Sequence, residues 1–192
     1  MDTFIYQNKI LSKDECNLII DFFNTNQKSH VSGYISGGKY IPEIKLSTDI
    51  NLKFLNEDGE YSNSISKLIS EKLSICVNEY KRKYPVLDEI SDWSLDNNYN
   101  LQRYYPTEGY FAPHVENDGE SYSIRRMMVW MIYLNTLNFG GGTRFPYFNK
   151  TIKAEEGKIV IWPAYWNHLH HGVVHKSKIK YIATGWFLFE DL

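Results

Sequence analysis

Apolar positions along this chain fall into two regimes. In the first 84 residues they recur three and four apart. Leu18, Ile19, Phe22 and Phe23 form one such set, and Ile65, Leu68, Ile69, Leu73, Cys76, Val77 and Tyr80 form a longer one. That spacing places each set on one side of a helix. Ser12 followed by Glu15 has capping-box spacing and marks where the first helix should begin. The second is expected over 61–84, ending before Pro85. Between them, SHVSGYISGGKYIPEIKLS (29–47) is rich in Gly and Ser and has no period, which predicts a loop or an irregular hairpin.

From Tyr99 the helical period disappears. LQRYY, GYFAPHV, RRMMVWMIYLN, TRF, KIVIWP, NHLHHGV and KYIATGWFLF are short runs rich in aromatic and β-branched residues. Pro106, Gly109, Gly140–Gly142, Pro146 and Gly157 punctuate them. Helices followed by strands predict a mainly β, α+β fold. The expected form is a two-sheet jelly roll with the N-terminal helices packed on one sheet and a mouth between the sheets. One domain is expected over 1–192, with 1–98 as mostly helical support and 99–192 as the jelly-roll core. A chain of 192 residues is long enough to bury a core of that kind.

Composition narrows the function. The net charge of −2, with Lys81-Arg82-Lys83 as the longest basic run, gives no footprint for nucleic acid. No stretch has the apolar length of a membrane span, and the N-terminus has no secretory-signal pattern. Cys16 and Cys76 read as buried thiols in a reducing compartment, so a soluble, cytoplasmic protein is expected. Gly140–Gly142 lacks the following helix and Lys of a phosphate loop and reads as a flexible loop at the mouth. No Gly-x-Ser-x-Gly elbow is present.

The histidines point elsewhere. Four of the six fall within HLHHGVVH (168–175). On a strand, His168 and His170 share one face and His171 takes the other, while His114 and Glu116 likewise share a face. Two such strands facing each other would gather two imidazoles and a carboxylate. This is the facial triad of non-haem Fe(II), which leaves coordination positions open. Either His168 or His170 can supply the second imidazole, and Asp118 is a rival carboxylate. Lys180 opens the last strand. Its ammonium would suit the far carboxylate of a dicarboxylate such as 2-oxoglutarate.

These segments resemble the prolyl 4-hydroxylase-like branch of the Fe(II)/2-oxoglutarate dioxygenases. The matching pieces are YYPTEGYFAPHVE, IYLN, GGGTRF, GKIVIWP and LHHGVVHKSKIKYIATGW, in family order over residues 99–187. FIYQNKILSKDECNLIIDFF is similar to the family's opening strand and helix. The resemblance implies a double-stranded β-helix with His114, Glu116 and His170 as iron ligands. It also implies Lys180 and Tyr133 on the distal carboxylate of 2-oxoglutarate, Tyr105 lining that pocket, and Arg126 and Trp186 contacting substrate. The family's offset to the basic residue implies His170 rather than His168, and His171 and His175 read as rim or surface residues.

The implied cofactors are Fe(II), 2-oxoglutarate and O₂, with ascorbate as a supporting reductant. The implied partner is a peptide or protein substrate, proline-containing by the same likeness. The alternatives are another residue or a small molecule as substrate, or a non-catalytic metal- or ligand-binding β-sandwich. Tyr110, Phe111, Trp162 and Trp166 are expected as pocket walls, and loop 29–47 is, by its composition, a candidate for a segment that helps to hold substrate. One departure stands out. The family carries Asp where this chain has Glu116, one methylene longer.

Overall fold

The computed structural model describes residues 2–190. In chain order the elements begin with β1 (Tyr6–Lys9), α1 (Lys13–Thr25), β2 (Val31–Ser32), β3 (Lys45–Leu46), β4 (Thr48–Lys53) and α2 (Ser64–Lys83). They continue with β5 (Trp93–Tyr104), β6 (Gly109–Tyr110), β7 (Arg126–Tyr133), β8 (Thr143–Phe145) and β9 (Lys150–Ile152). The last three are β10 (Lys158–Pro163), β11 (His171–Gly172) and β12 (Lys180–Phe189).

Both helices start where local chemistry dictates. Ser12 accepts from the Glu15 backbone while the Glu15 carboxylate accepts from the Ser12 backbone, completing the capping box of α1. Asn63 caps α2 by accepting from the Ser66 backbone, and Pro85 follows its end.

Seven antiparallel strands form the major sheet in the order β1-β10-β7-β12-β5-β4-β2. Its alternation sorts side chains into two populations. Ile50, Leu101, Ala183, Ile132 and Ile159 lie side by side across five strands, and Tyr99, Gly185, Trp130 and Ile161 lie in the next row. Both rows belong to one core with Ile19, Phe23, Ile65, Ile69 and Leu73 of the helices. Each such aliphatic side chain contributes about 1.5–3 kcal/mol by leaving water.

The opposite face carries a second core. There Val129, Met131, Tyr133 and Trp162 meet Phe145 and Ile152 of a small sheet, β11-β8-β9. A two-stranded ribbon, β3-β6, closes part of the same side. The architecture is the double-stranded β-helix expected.

Several local expectations need correction. The first half is not only helical support, because β1, β2 and β4 all join the major sheet. NHLHHGV is not one strand: Trp166–His168 is a 3-10 turn, and regular pairing resumes at His171–Gly172. The Gly140–Gly142 run is packed tightly. A Cβ at Gly142 would lie 2.2 Å from the Ile152 carbonyl, and one at Gly140 2.7 Å from that of Val174. Only glycine permits so close a backbone approach.

Candidate active site

Two short backbone hydrogen bonds build the centre of the site. His114 and His170 sit directly opposite each other in an isolated antiparallel bridge, each N–H donating to the other's carbonyl at 2.9 Å. Their rings therefore project to the same side, with centroids 4.3 Å apart. Glu116 is placed by the next link. Its backbone N–H and that of Asn117 both donate to the Ala164 carbonyl, at 3.1 and 2.9 Å.

The tautomer of each imidazole is forced. His114 Nδ1 lies 3.0 Å from the Ala112 carbonyl and His170 Nδ1 lies 2.9 Å from the His168 carbonyl. A carbonyl can only accept, so each Nδ1 carries its hydrogen and each Nε2 is the ring nitrogen left to face the cavity. Both Nε2 atoms face Glu116 Oε1, at 3.7 Å from His114 and 3.4 Å from His170. The three donor atoms all lie within 4.8 Å of one another, a spacing at which one cation can bridge them. Burial alone would raise the Glu116 carboxyl, but the imidazoles of His114 and His170 outweigh it and hold the group well below its ordinary range. Burial, with His114 adding to it, pushes the His170 imidazole down, so the neutral form that a metal needs is favoured.

The rival donors are engaged elsewhere. His168 Nε2 donates to the Thr3 carbonyl, so that nitrogen is engaged outside the cluster of donors. Asp118 accepts from Tyr122 and Ser123 in its own turn. His175 is buried rather than at the rim. It accepts from the Lys178 backbone and donates to the Asn138 carbonyl, tying its turn to the glycine loop. His171 is half-buried on β11.

The three donors open onto a cavity of about 470 Å³. Lys180 reaches the same cavity from β12, opposite Tyr104 of β5. It is only 9 % exposed and has no carboxylate partner among the described residues. Desolvation lowers its pKa to about 8. Its Nζ lies 5.4 Å from the ring centroids of both Tyr104 and Tyr133. The Tyr133 hydroxyl is hydrogen-bonded to Thr143 Oγ1 at 2.7 Å. A buried ammonium among aromatic rings, with no carboxylate beside it among the described residues, is able to take an anion.

Residues 99–188 match the family model of the 2OG-Fe(II) oxygenase superfamily. That stretch, just under half of the chain, resembles a 2OG-Fe(II) oxygenase domain. Fe(II), 2-oxoglutarate and O₂ are the requirements of that superfamily, and the donor set of this domain fits such an ion. Solved structures share its fold at low sequence identity. The viral collagen prolyl hydroxylase of Paramecium bursaria Chlorella virus-1, in its 2OG complex, is 21% identical. The likeness covers 96% of this chain and 95% of that one, with a TM-score of 0.69. A Trichoplax adhaerens prolyl hydroxylase, in complex with a hypoxia-inducible-factor peptide fragment, is 16% identical over 97% and 84% of the two chains (TM-score 0.73). A Pseudomonas putida prolyl-4-hydroxylase is 15% identical over 97% and 93% (TM-score 0.70). No curated protein matches the chain by sequence.

Three expected site residues line the cavity in surroundings of their own. Tyr105 lines the cavity but is 43% exposed with Arg103 over its ring, whereas Tyr104 is 5% exposed and lies beside Lys180. Arg126 and Trp186 stack on each other at 3.9 Å and face Glu116 as well as the cavity. A polar network was invisible in the sequence. Lys45 donates to Asp49 at 2.8 Å, Gln102 donates to Asp49 at 3.2 Å, and Tyr104 donates to Gln102 at 2.7 Å. All four residues are buried in the cavity wall.

Proposed function

We propose that this domain is a prolyl 4-hydroxylase-type enzyme that hydroxylates a proline of a peptide or protein, consuming 2-oxoglutarate and O₂. One observation carries the reading: two imidazoles with forced tautomers face one carboxylate beside a buried, unpaired Lys180. In this reading His114, Glu116 and His170 hold the iron. Lys180 takes the distal carboxylate of 2-oxoglutarate, with Tyr133 and Tyr104 beside it. Bound iron supplies the redox chemistry of the superfamily, in which decarboxylation of 2-oxoglutarate to succinate accompanies insertion of one oxygen atom into a C–H bond.

The chain's own residues orient and exclude. Trp162 and Phe145 wall the His170 ring, with centroids at 5.1 and 5.5 Å, and keep water from it. Tyr110 stacks on His114 at 3.6 Å and fixes its plane. Below about pH 8 the Lys180 Nζ carries the proton that makes it a carboxylate receptor. Tyr34, Tyr105 and Tyr122 stand half-exposed along the cavity and offer the flat aromatic surfaces that proline rings pack against. The solved relatives include prolyl hydroxylases, one with a peptide bound, which supports a peptide partner for this chain.

The whole chain is taken as one functional unit, since the helices cover the sheet that carries the site. No helix of the described residues is long and apolar enough to cross a membrane, and Cys16 and Cys76 are free and buried. A cytoplasmic setting fits those thiols.

The test is turnover of proline-rich peptides by iron-loaded protein. Succinate formed together with one added oxygen on proline is the expected result. Oxygen on another residue or a small molecule would replace the prolyl reading. Absence of succinate, coupled or uncoupled, would leave a binding module.

A further inference from the structure

The two oxygens of Glu116 have different neighbours. Oε1 faces the imidazoles. Oε2 accepts a hydrogen bond from Trp186 Nε1 at 2.9 Å and lies 3.5 Å from Arg126 Nη1, which also donates to the Glu116 backbone carbonyl at 3.1 Å. The guanidinium and the indole are stacked, so the two donors form one rigid unit.

The backbone supports this arrangement. The register of β12 against β5 shifts between Gly185 and Phe187, and against β7 between Phe187 and Leu188. Irregularities of this kind re-aim a side chain beside a site. Asn117, next to Glu116, donates its side-chain amide to the Arg126 carbonyl at 2.9 Å and to that of Ile124 at 3.0 Å. The segment carrying the carboxylate is thereby fixed to the strand carrying the guanidinium.

We propose that Trp186 and Arg126 are positioning residues for Glu116: they hold Oε2 so that only Oε1 is offered toward the two imidazoles. A glutamate has one more rotatable bond than an aspartate, and a free arm would sample geometries useless to a cation. Hydrogen bonds from fixed donors remove that freedom, as outer partners do for metal-binding carboxylates generally. The clamp therefore explains how this chain uses the longer acid. An aspartate here, shorter by about 1.5 Å, would not reach the indole and the imidazoles at once. This inference rests on reading Glu116 as a metal ligand.

The test is titration of the full chain with Co(II), followed by its visible absorption, in wild type and in Glu116→Ala, Trp186→Phe and Arg126→Gln. Glu116→Ala should weaken Co(II) binding at least tenfold. Trp186→Phe, which keeps a ring but loses the N–H, should weaken it roughly 10- to 100-fold. Arg126→Gln should act in the same direction and carries the test if the Phe variant does not fold. The deciding readout is the double variant: in the Glu116→Ala background, Trp186→Phe should have no further effect. Full loss in both backgrounds, or wild-type affinity in both clamp variants while Glu116→Ala is impaired, would overturn the clamp. Wild-type affinity in Glu116→Ala would instead remove the ligand reading beneath it.

Discussion

The two faces of the major sheet are made by the same strands, one residue out of step, and they are built to opposite ends. Ile50, Leu101, Ala183, Ile132 and Ile159 face the helices in a row without a polar side chain. One residue along, Asp49, Gln102, Ile182 and Tyr133 form the corresponding row on the cavity side. The helix side contributes stability through close packing. The cavity side holds buried polar groups, among them the Lys180 ammonium, which has no carboxylate partner among the described residues and costs stability. The fold thus separates what keeps it folded from what it does, within single strands.

That separation can be broken experimentally. The largest effect is expected from His170→Ala, which should reduce Fe(II)-dependent succinate formation by at least about a thousandfold while the thermal midpoint of the metal-free protein moves by only a few degrees. A comparable loss of folding would mean that the cavity face is also structural. Ile132→Ala, on the other face, should destabilise by about 2–5 kcal/mol in denaturant unfolding and leave turnover per folded molecule unchanged.

Gly185→Ala sits between the two cases. Its Cβ would lie 2.7–2.9 Å from the Trp130 indole, so a loss of about 1–3 kcal/mol is expected, with partial loss of Co(II) affinity as Trp186 shifts. Lys180→Met sharpens the contrast most. It should raise the apparent KM for 2-oxoglutarate about a hundredfold or more, yet stabilise the apo-protein at pH 7.

The pH dependence of that last gain follows from the shift at Lys180. Its folded pKa of about 8 lies below the unfolded value of 10.5, so between these limits the unfolded chain binds more protons. Stability of the wild type from this group therefore rises with pH from 8 to 10.5. The advantage of Lys180→Met should accordingly be full below pH 8 and shrink toward zero by pH 10.5. A constant difference across that range in thermal melts would mean that the ammonium is not buried as described.

Much of this was legible in the residues. The capping box at Ser12 and Glu15 located α1, and the seven-residue stripe before Pro85 located α2 to within a few residues. Aromatic and β-branched runs located most of the later strands. β1 is reached only through the family likeness of its segment, and β4 has no local signal, because YQNK and TDINLK are short and mostly polar and pairing rather than propensity makes them strands.

The metal-type triad was legible because His114-x-Glu116 and the histidine-rich run each carry their own chemistry. Which of Tyr104 and Tyr105 is buried was not, since a slip of one residue reverses the faces of a strand. His168 was misplaced on the strand by the same alternation, because a 3-10 turn interrupts it. The hold of Trp186 and Arg126 on Glu116 depends on bulges in β12 that no local pattern announces.

The central claim is that one cavity joins a His114–Glu116–His170 metal centre to a carboxylate receptor at Lys180. The most direct measurement is a crystal structure of the chain with Mn(II) and N-oxalylglycine, an unreactive mimic of 2-oxoglutarate. The account predicts the ion on the two Nε2 atoms and Glu116 Oε1, with the far carboxylate of the mimic within hydrogen-bond distance of Lys180 Nζ. An ion held by His168, His171 or Asp118, or a mimic bound away from Lys180, would contradict it.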